Sequence, residues 1–236
     1  MSEIARTADH ALRVLLEVAE NGPATQAQIG RSLGLNRTVV HRLLTTLQQR
    51  GFVARQDNGY VPGAALVQIA SKMRPDLRAR ARGPMAALAE KVGETVLLDV
   101  VSGEQAVALE CVIPDGHLVR VEPRIGTSYS LSRSASGRAI LANLPDRGLA
   151  ARVLEQSENP QVLQRQLDSV RQLGYAVSHD ELQQGVHGIA APVFDGGDTA
   201  VGALAVVAPT SRANRLPEFT EDLLKAARLI AAPVGE

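Results

Sequence analysis

From Thr25 to Arg50 the apolar residues fall on one face of two short helical segments that meet at Gly34. In the first, Ala27, Ile29 and Leu33 supply the apolar positions, and Thr25 with Gln28 has the spacing of a capping box. In the second, Asn36 is a favoured cap, and Val40, Leu43, Leu44 and Leu47 recur at i, i+3, i+4 and i+7, which predicts one buried stripe. The opposite face carries Thr38, Arg42, Thr45 and Gln49, with His41 on its flank and Arg37 in the first turn. Two readings fit this periodicity: a helix-turn-helix that presents donors and acceptors to base edges and phosphates, or a helical hairpin with a merely solvated polar face.

The next residues favour the first reading. Phe52 to Arg55 and Tyr60-Val61 are β-prone runs flanking Gln56-Asp57-Asn58-Gly59, an Asn-Gly hairpin signal. A β-ribbon here is the wing of a winged helix-turn-helix, and it would carry Arg55, Asn58 and Tyr60 towards a sugar-phosphate backbone. Ahead of it, Ala8 to Asn21 reads as a supporting helix with Ala11, Val14, Leu15 and Val18 inward, ended by Gly22-Pro23. The candidate DNA-contacting set is therefore Thr25, Gln26, Arg37, Thr38, His41, Arg42, Thr45, Arg55, Asn58 and Tyr60.

Past Pro62-Gly63 the pattern changes twice. Ala64 to Met73 has helical spacing and reads as a linker rod, and Leu77 to Val92 reads as a further helix interrupted at Gly83-Pro84. Three β-prone runs follow, Thr95 to Val101, Ala106 to Val112 and Leu118 to Val121, forming an antiparallel meander. Helical patterns come at Ser134 to Ala142, Arg147 to Glu155 and Pro160 to Leu173, then strands near Tyr175 to Ser178, Ile189 to Phe194 and Thr199 to Val207. Asp195-Gly196-Gly197-Asp198 joins two strands and so reads as a hairpin turn, not a phosphate loop, and Pro217 to Ala231 is a closing helix. This predicts a mixed α/β (α+β) chain: a DNA reader in residues 1–62, a linker in 63–75, and a domain of helices packed on one antiparallel sheet in 76–236.

Composition narrows the function. With 25 basic and 25 acidic residues the formal net charge is zero, which argues against a protein that coats nucleic acid by bulk attraction. Arg31, Arg37, Arg42, Arg50 and Arg55 are nonetheless concentrated where Asp57 is the only acid. No apolar run is long enough to span a bilayer, and Glu3 and Asp9 stand where a signal peptide would be basic, so no membrane partner and a cytoplasmic location are expected. The single cysteine, Cys111, excludes a disulfide within the chain and reads as a buried, inert thiol.

Four segments in order, ATQAQIGRSLGLNRTVVHRLLTTLQQRGFV, SLSRSASGRAILA, GYAVSHDELQQGVHGIAAPVFD and VGALAVVAPTSR, resemble the successive signatures of the IclR family of bacterial transcriptional regulators. The resemblance covers nearly the whole chain. It implies a winged helix-turn-helix, a linker helix and a C-terminal GAF-like domain that binds a small-molecule effector, with double-stranded DNA bound by homodimers or homotetramers. No cofactor is implied.

The run Ser134-Ala135-Ser136-Gly137-Arg138 has small side chains that would let a ligand approach a helix start, although close helix packing on a sheet uses the same residues. Positions similar to the family's effector-pocket residues are Leu118, Val121, Tyr129, Ala135, Ser136, Ser178, Gly188, Ala205 and Val207, to which Gly137 is added from the helix start. Family members that take small oxo-acids have hydroxyls on the last strand, where this chain has Ala205 and Val207. A mostly apolar ligand such as an aromatic acid is therefore expected, since each unpaired polar group in such a site costs about 1 to 3 kcal/mol. A regulator that works through protein contacts without a ligand is the alternative.

His179, Asp180, Glu181 and His187 could suggest a metal site but read better as loop and pocket-rim residues, with Glu181 ordering the loop. No Gly-x-Ser-x-Gly elbow, His-Glu-x-x-His helix or nucleotide-binding glycine pattern is present, so an enzyme is not expected, a hydrolase being the remote variant.

Overall fold

The computed structural model describes residues 4–231; Glu3 lies outside them. Contacts divide the chain into two units, Met1–Pro75 and Asp76–Glu236.

In the first unit, α1 (Arg6–Asn21), α2 (Gln26–Leu33) and α3 (Arg37–Gln49) precede a two-stranded ribbon, β1 (Val53–Gln56) and β2 (Gly59–Pro62), and then α4 (Ala64–Ala70). Val14 and Val18 of α1, Ile29 of α2, the four stripe residues of α3 and Val53 of β1 form one core. Ala27 is exposed, and its expected place in that core is taken by Ala24, which is buried between α1 and α2. The ribbon turns through Asp57 and Asn58, with Gln56 paired to Gly59, one residue earlier than the Asn-Gly signal suggests. Gly59 does a different job: a Cβ there would lie 2.6 Å from the Ala24 carbonyl. Ala24 and Tyr60 exchange both backbone hydrogen bonds, at 3.1 and 2.8 Å, so the ribbon is fastened to the segment that leads into α2.

The linker helix α4 is shorter than its periodicity predicts. It stops at Ala70, and Arg74 turns left-handed with φ of 47° immediately before Pro75, which disfavours helix in the preceding residue. By contrast α5 (Pro75–Val92) runs straight through Gly83-Pro84. Proline clashes with the Cβ of a helical residue before it, and Gly83 has none.

The second unit is built on a six-stranded sheet in the order β5-β4-β3-β8-β7-β6. Its strands are β3 (Thr95–Ser102), β4 (Gln105–Val112), β5 (Ser128–Ser130), β6 (Ala176–His179), β7 (Val186–Phe194) and β8 (Ala200–Pro209), with every neighbouring pair antiparallel. Asp195 to Thr199 connects β7 to β8 as a hairpin. Helices cover both faces of this sheet. On one face lie α5 and α9 (Thr220–Ala231); on the other α6 (Ala135–Ala142), α7 (Arg147–Glu155) and α8 (Pro160–Leu173). This explains strands buried almost end to end, such as β8. The approach to α9 is a 3₁₀ segment, Thr210–Phe219, containing Pro217, so the closing α-helix begins later than predicted.

The run Leu118 to Val121 is not a strand. Its carbonyls are held by side chains instead of a ladder: Thr95 Oγ1 donates to Val121 O at 2.7 Å and Arg212 Nη2 to Val119 O at 3.1 Å. β5 takes the third place of the meander beside β4. No helix among the described residues is long and apolar enough to cross a membrane.

Candidate DNA-reading face and ligand cavity

On α3 the stripe Val40, Leu43, Leu44 and Leu47 is buried and Arg37, Thr38, His41, Arg42 and Thr45 are exposed. Arg55 on β1 and Asn58 at the ribbon tip are exposed as well. Among the described residues no ion pair occupies Arg31, Arg37, Arg42, Arg50 or Arg55. A set of exposed guanidinium groups without internal counter-ions can take phosphates or the acceptor edges of bases. Three candidates turn out to have structural duties. Thr25 and Gln28 close the capping box reciprocally, the Gln28 amide donating to Thr25 Oγ1 at 3.3 Å and the Thr25 amide to Gln28 Oε1 at 2.8 Å. Gln26 Nε2 donates to the Arg37 carbonyl at 2.7 Å, which fixes α3 against the start of α2. Tyr60 is half-buried against the core beside Ala24. Thr45 Oγ1 donates to its own helix at His41 O, 2.9 Å away, and keeps acceptor capacity outward.

The second unit contains a cavity of about 670 Å³ between the α6 start, the sheet and two loops. It brings together Val121, Tyr129, Ala135, Ser136, Ser178, Gly188, Ala205 and Val207 from distant parts of the sequence. Two candidates do not line it. Leu118 points fully into solvent because its loop is pinned at Val119 and Val121. Gly137 packs the helix on the chain behind it: a Cβ there would meet the Leu131 carbonyl at 2.4 Å. Most of the wall is apolar, with Leu97, Ala108 and Pro209 joining the predicted positions. At the α6 start, Ser134 Oγ accepts from the Gly137 amide at 2.8 Å. The amides of Ala135 and Ser136, in the first turn, have no intrahelical acceptor.

Three comparisons bear on this arrangement. A family model described as the bacterial transcriptional regulator IclR C-terminal domain matches residues 69–232, and one described as the MarR family matches residues 7–60. The chain belongs to the IclR family of transcriptional regulators. It is 29% identical over 242 residues to the transcriptional repressor IclR of Escherichia coli, covering 95% of this chain and 88% of that protein. It is 31% identical over 214 residues to the regulator TtgV of Pseudomonas putida, covering 86% and 79% of the two chains. A crystal structure of an IclR homologue from Microbacterium hydrocarbonoxydans complexed with 4-hydroxybenzoate superposes with a TM-score of 0.82 at 24% identity, over 95% of this chain and 97% of that one. Proteins of this family regulate transcription and are not enzymes.

Within this IclR-family fold, several cavity residues had no sequence signal. Arg120, Glu122, Pro123, Arg124 and Thr127 sit on the pinned loop, Leu182 to Gly185 on the loop before β7, and Val186 at the start of β7. Behind the α6 start, Arg138 is 2% exposed and donates to Ser132 O at 3.1 Å, to Val177 O and to both carboxylate oxygens of Glu181. Glu181 thereby holds the loop that precedes β7. His187 also lines the cavity; its Nδ1 is 3.0 Å from Nδ1 of His179, and its Nε2 is 2.9 Å from Thr210 Oγ1. Contact between two Nδ1 atoms requires one to carry a proton and the other a lone pair. No cluster of three His, Cys, Asp or Glu side chains able to surround a metal ion occurs among the described residues. Cys111 is half-buried on β4, and burial, then the nearby carboxylates led by Asp99, push its thiol up to about 11.

Proposed function

We propose that this regulator is a repressor whose grip on its operator is modulated by a mostly apolar metabolite carrying one acidic head, such as an aromatic acid, bound in the 670 Å³ cavity. The cavity is the observation that carries this reading. Its size admits a ring compound, and Leu97, Ala108, Val121, Ala205 and Val207 offer it apolar contact beside polar groups from the two loops and the α6 start. The two free amides at the α6 start supply a place for the head group. Ala205 and Val207, lacking hydroxyls, penalise a small and strongly polar ligand. The 4-hydroxybenzoate complex of the Microbacterium relative supports the same class of ligand.

The assignment is residues 1–62 as reader, 63–75 as linker and 76–236 as effector domain. The protein acts in the cytoplasm as a homodimer or homotetramer. A dimer sets two α3 helices in successive major grooves about 34 Å apart, so the operator is a near-palindrome with half-sites one helical turn apart, or a multiple of it. Arg37, Thr38, His41, Arg42 and Thr45 face the groove, while Arg55 and Asn58 meet the backbone. The ligand changes occupancy by preferring one arrangement of the readers over another, with the linker as lever.

Thermal-shift titration with 4-hydroxybenzoate, benzoate, pyruvate and glyoxylate, followed by operator gel shifts with each, tests the reading. A melting temperature that climbs with concentration for the aromatic acids, together with a changed operator affinity, is the expected result. Stabilisation by the small oxo-acids alone would refute it.

A further inference from the structure

Among the described residues of the second unit, Asp99 is a fully buried carboxyl without a hydrogen-bond partner of ordinary geometry. It lies on β3 with 0% exposure. Strand alternation sets its direction. Val96, Leu98 and Val100 pack on the α5 and α9 face, whereas Leu97 packs on the α6 face and lines the cavity, so Asp99 shares the cavity side with Leu97. A bulge in β4 opposite Leu98 and Asp99, where Leu109 has no partner, marks the same point of the sheet. The polar groups that approach the carboxyl are the hydroxyls of Ser136 on α6 and Tyr129 on β5, and both of these line the cavity. Asp99 is thus one side-chain layer behind the cavity wall, reached through two hydroxyls.

We propose that Asp99 is a proton-bearing recognition residue: it stays a neutral acid and, through the hydroxyls of Ser136 and Tyr129, completes a seat for a ligand carboxylate at the α6 start. This rests on the ligand-binding reading above and gives that site its chemistry. The reason is hydrogen-bond polarity. A neutral Asp99 donates its proton to one hydroxyl oxygen, which leaves that hydroxyl's own hydrogen for the ligand. An ionised Asp99 would draw both hydroxyl hydrogens to itself and show the ligand only lone pairs. It would also set a second negative charge close to the ligand's in a water-poor site.

The surroundings favour the neutral acid. Burial pushes the Asp99 carboxyl above its ordinary value, and the hydroxyls of Ser136 and Tyr129 only partly oppose it. Burial likewise raises the Tyr129 phenol, which stays a hydroxyl. From β4 the titratable neighbour is Cys111, whose raised thiol is neutral below about pH 11. Ala108 and Ala203, the partners of Asp99 on β4 and β8, carry no charge. On α6 the charge of Arg138 is already matched by Glu181. Arg120 and Arg124 line the cavity from the pinned loop, but among the described residues no cation is among the groups that shift the Asp99 carboxyl.

Calorimetric titration of the full chain with benzoate and its neutral analogue benzamide, neither of which titrates between pH 6 and pH 10, tests this over that range, with Asp99→Asn in parallel. Wild-type affinity for the acid should fall about tenfold per pH unit once Asp99 begins to lose its proton. The amide should show no such fall, and in Asp99→Asn the acid should lose it too. A carbon-13 titration of the wild-type carboxyls, which needs no variant to fold, should find Asp99 neutral at pH 7. An ionised Asp99 at pH 7, or one pH profile shared by wild type and Asp99→Asn, overturns the proposal while leaving the aromatic-acid reading intact. Failure of both compounds to bind at every pH overturns the two together.

Discussion

Arg42 and Arg138 both lie on helices and behave as opposites. Arg42 projects from α3 into solvent with no ion pair, whereas Arg138 on α6 is 2% exposed and uses its donors on Ser132, Val177 and Glu181. The first unit keeps Arg37, Arg42 and Arg55 exposed and without ion pairs, open to a partner that brings its own charge. The effector domain buries and pairs Arg138, so that this guanidinium serves the fold and leaves the cavity wall to other residues. The same residue type is therefore left open in one unit and built into the architecture in the other, and only its partners tell the two apart.

The largest effect that would sharpen this contrast is at Glu181. Replacing it with alanine strands a buried guanidinium, and denaturant melting should show a loss of about 3 to 5 kcal/mol; an unchanged midpoint would mean that Arg138 is not held as described. Arg42→Ala should leave melting unaltered yet weaken operator binding by about 1 to 3 kcal/mol in a gel-shift titration, and full retention of affinity would remove α3 as the reader. Thr25→Ala, which opens the capping box, should cost about 1 kcal/mol of stability without changing which operator is bound. A change of operator preference would restore Thr25 as a DNA contact.

The reader was legible in the sequence because its determinants are close together along the chain. Thr25 with Gln28, Asn36 with Val39, and the stripe from Val40 to Leu47 act within a few residues, where periodicity and capping rules apply directly. The sheet order and the cavity depend on pairings that no spacing reveals. Asp99 looks like one more member of a β-prone run until the fold brings Tyr129 and Ser136 over it. Leu118 to Val121 has strand composition, but Thr95 and Arg212 claim its carbonyls first. Gly83-Pro84 reads as a break until one notes that the clash responsible needs a Cβ that glycine lacks.

The backbone clasp between Ala24 and Tyr60 has a consequence for how any signal can arrive. Because the ribbon is stitched to the entrance of α2, and Gln26 in turn braces α3, the whole reading head is a stiff stylus. Under the proposed mechanism, an effector would then act on whether and where such a head meets DNA, with its own shape kept.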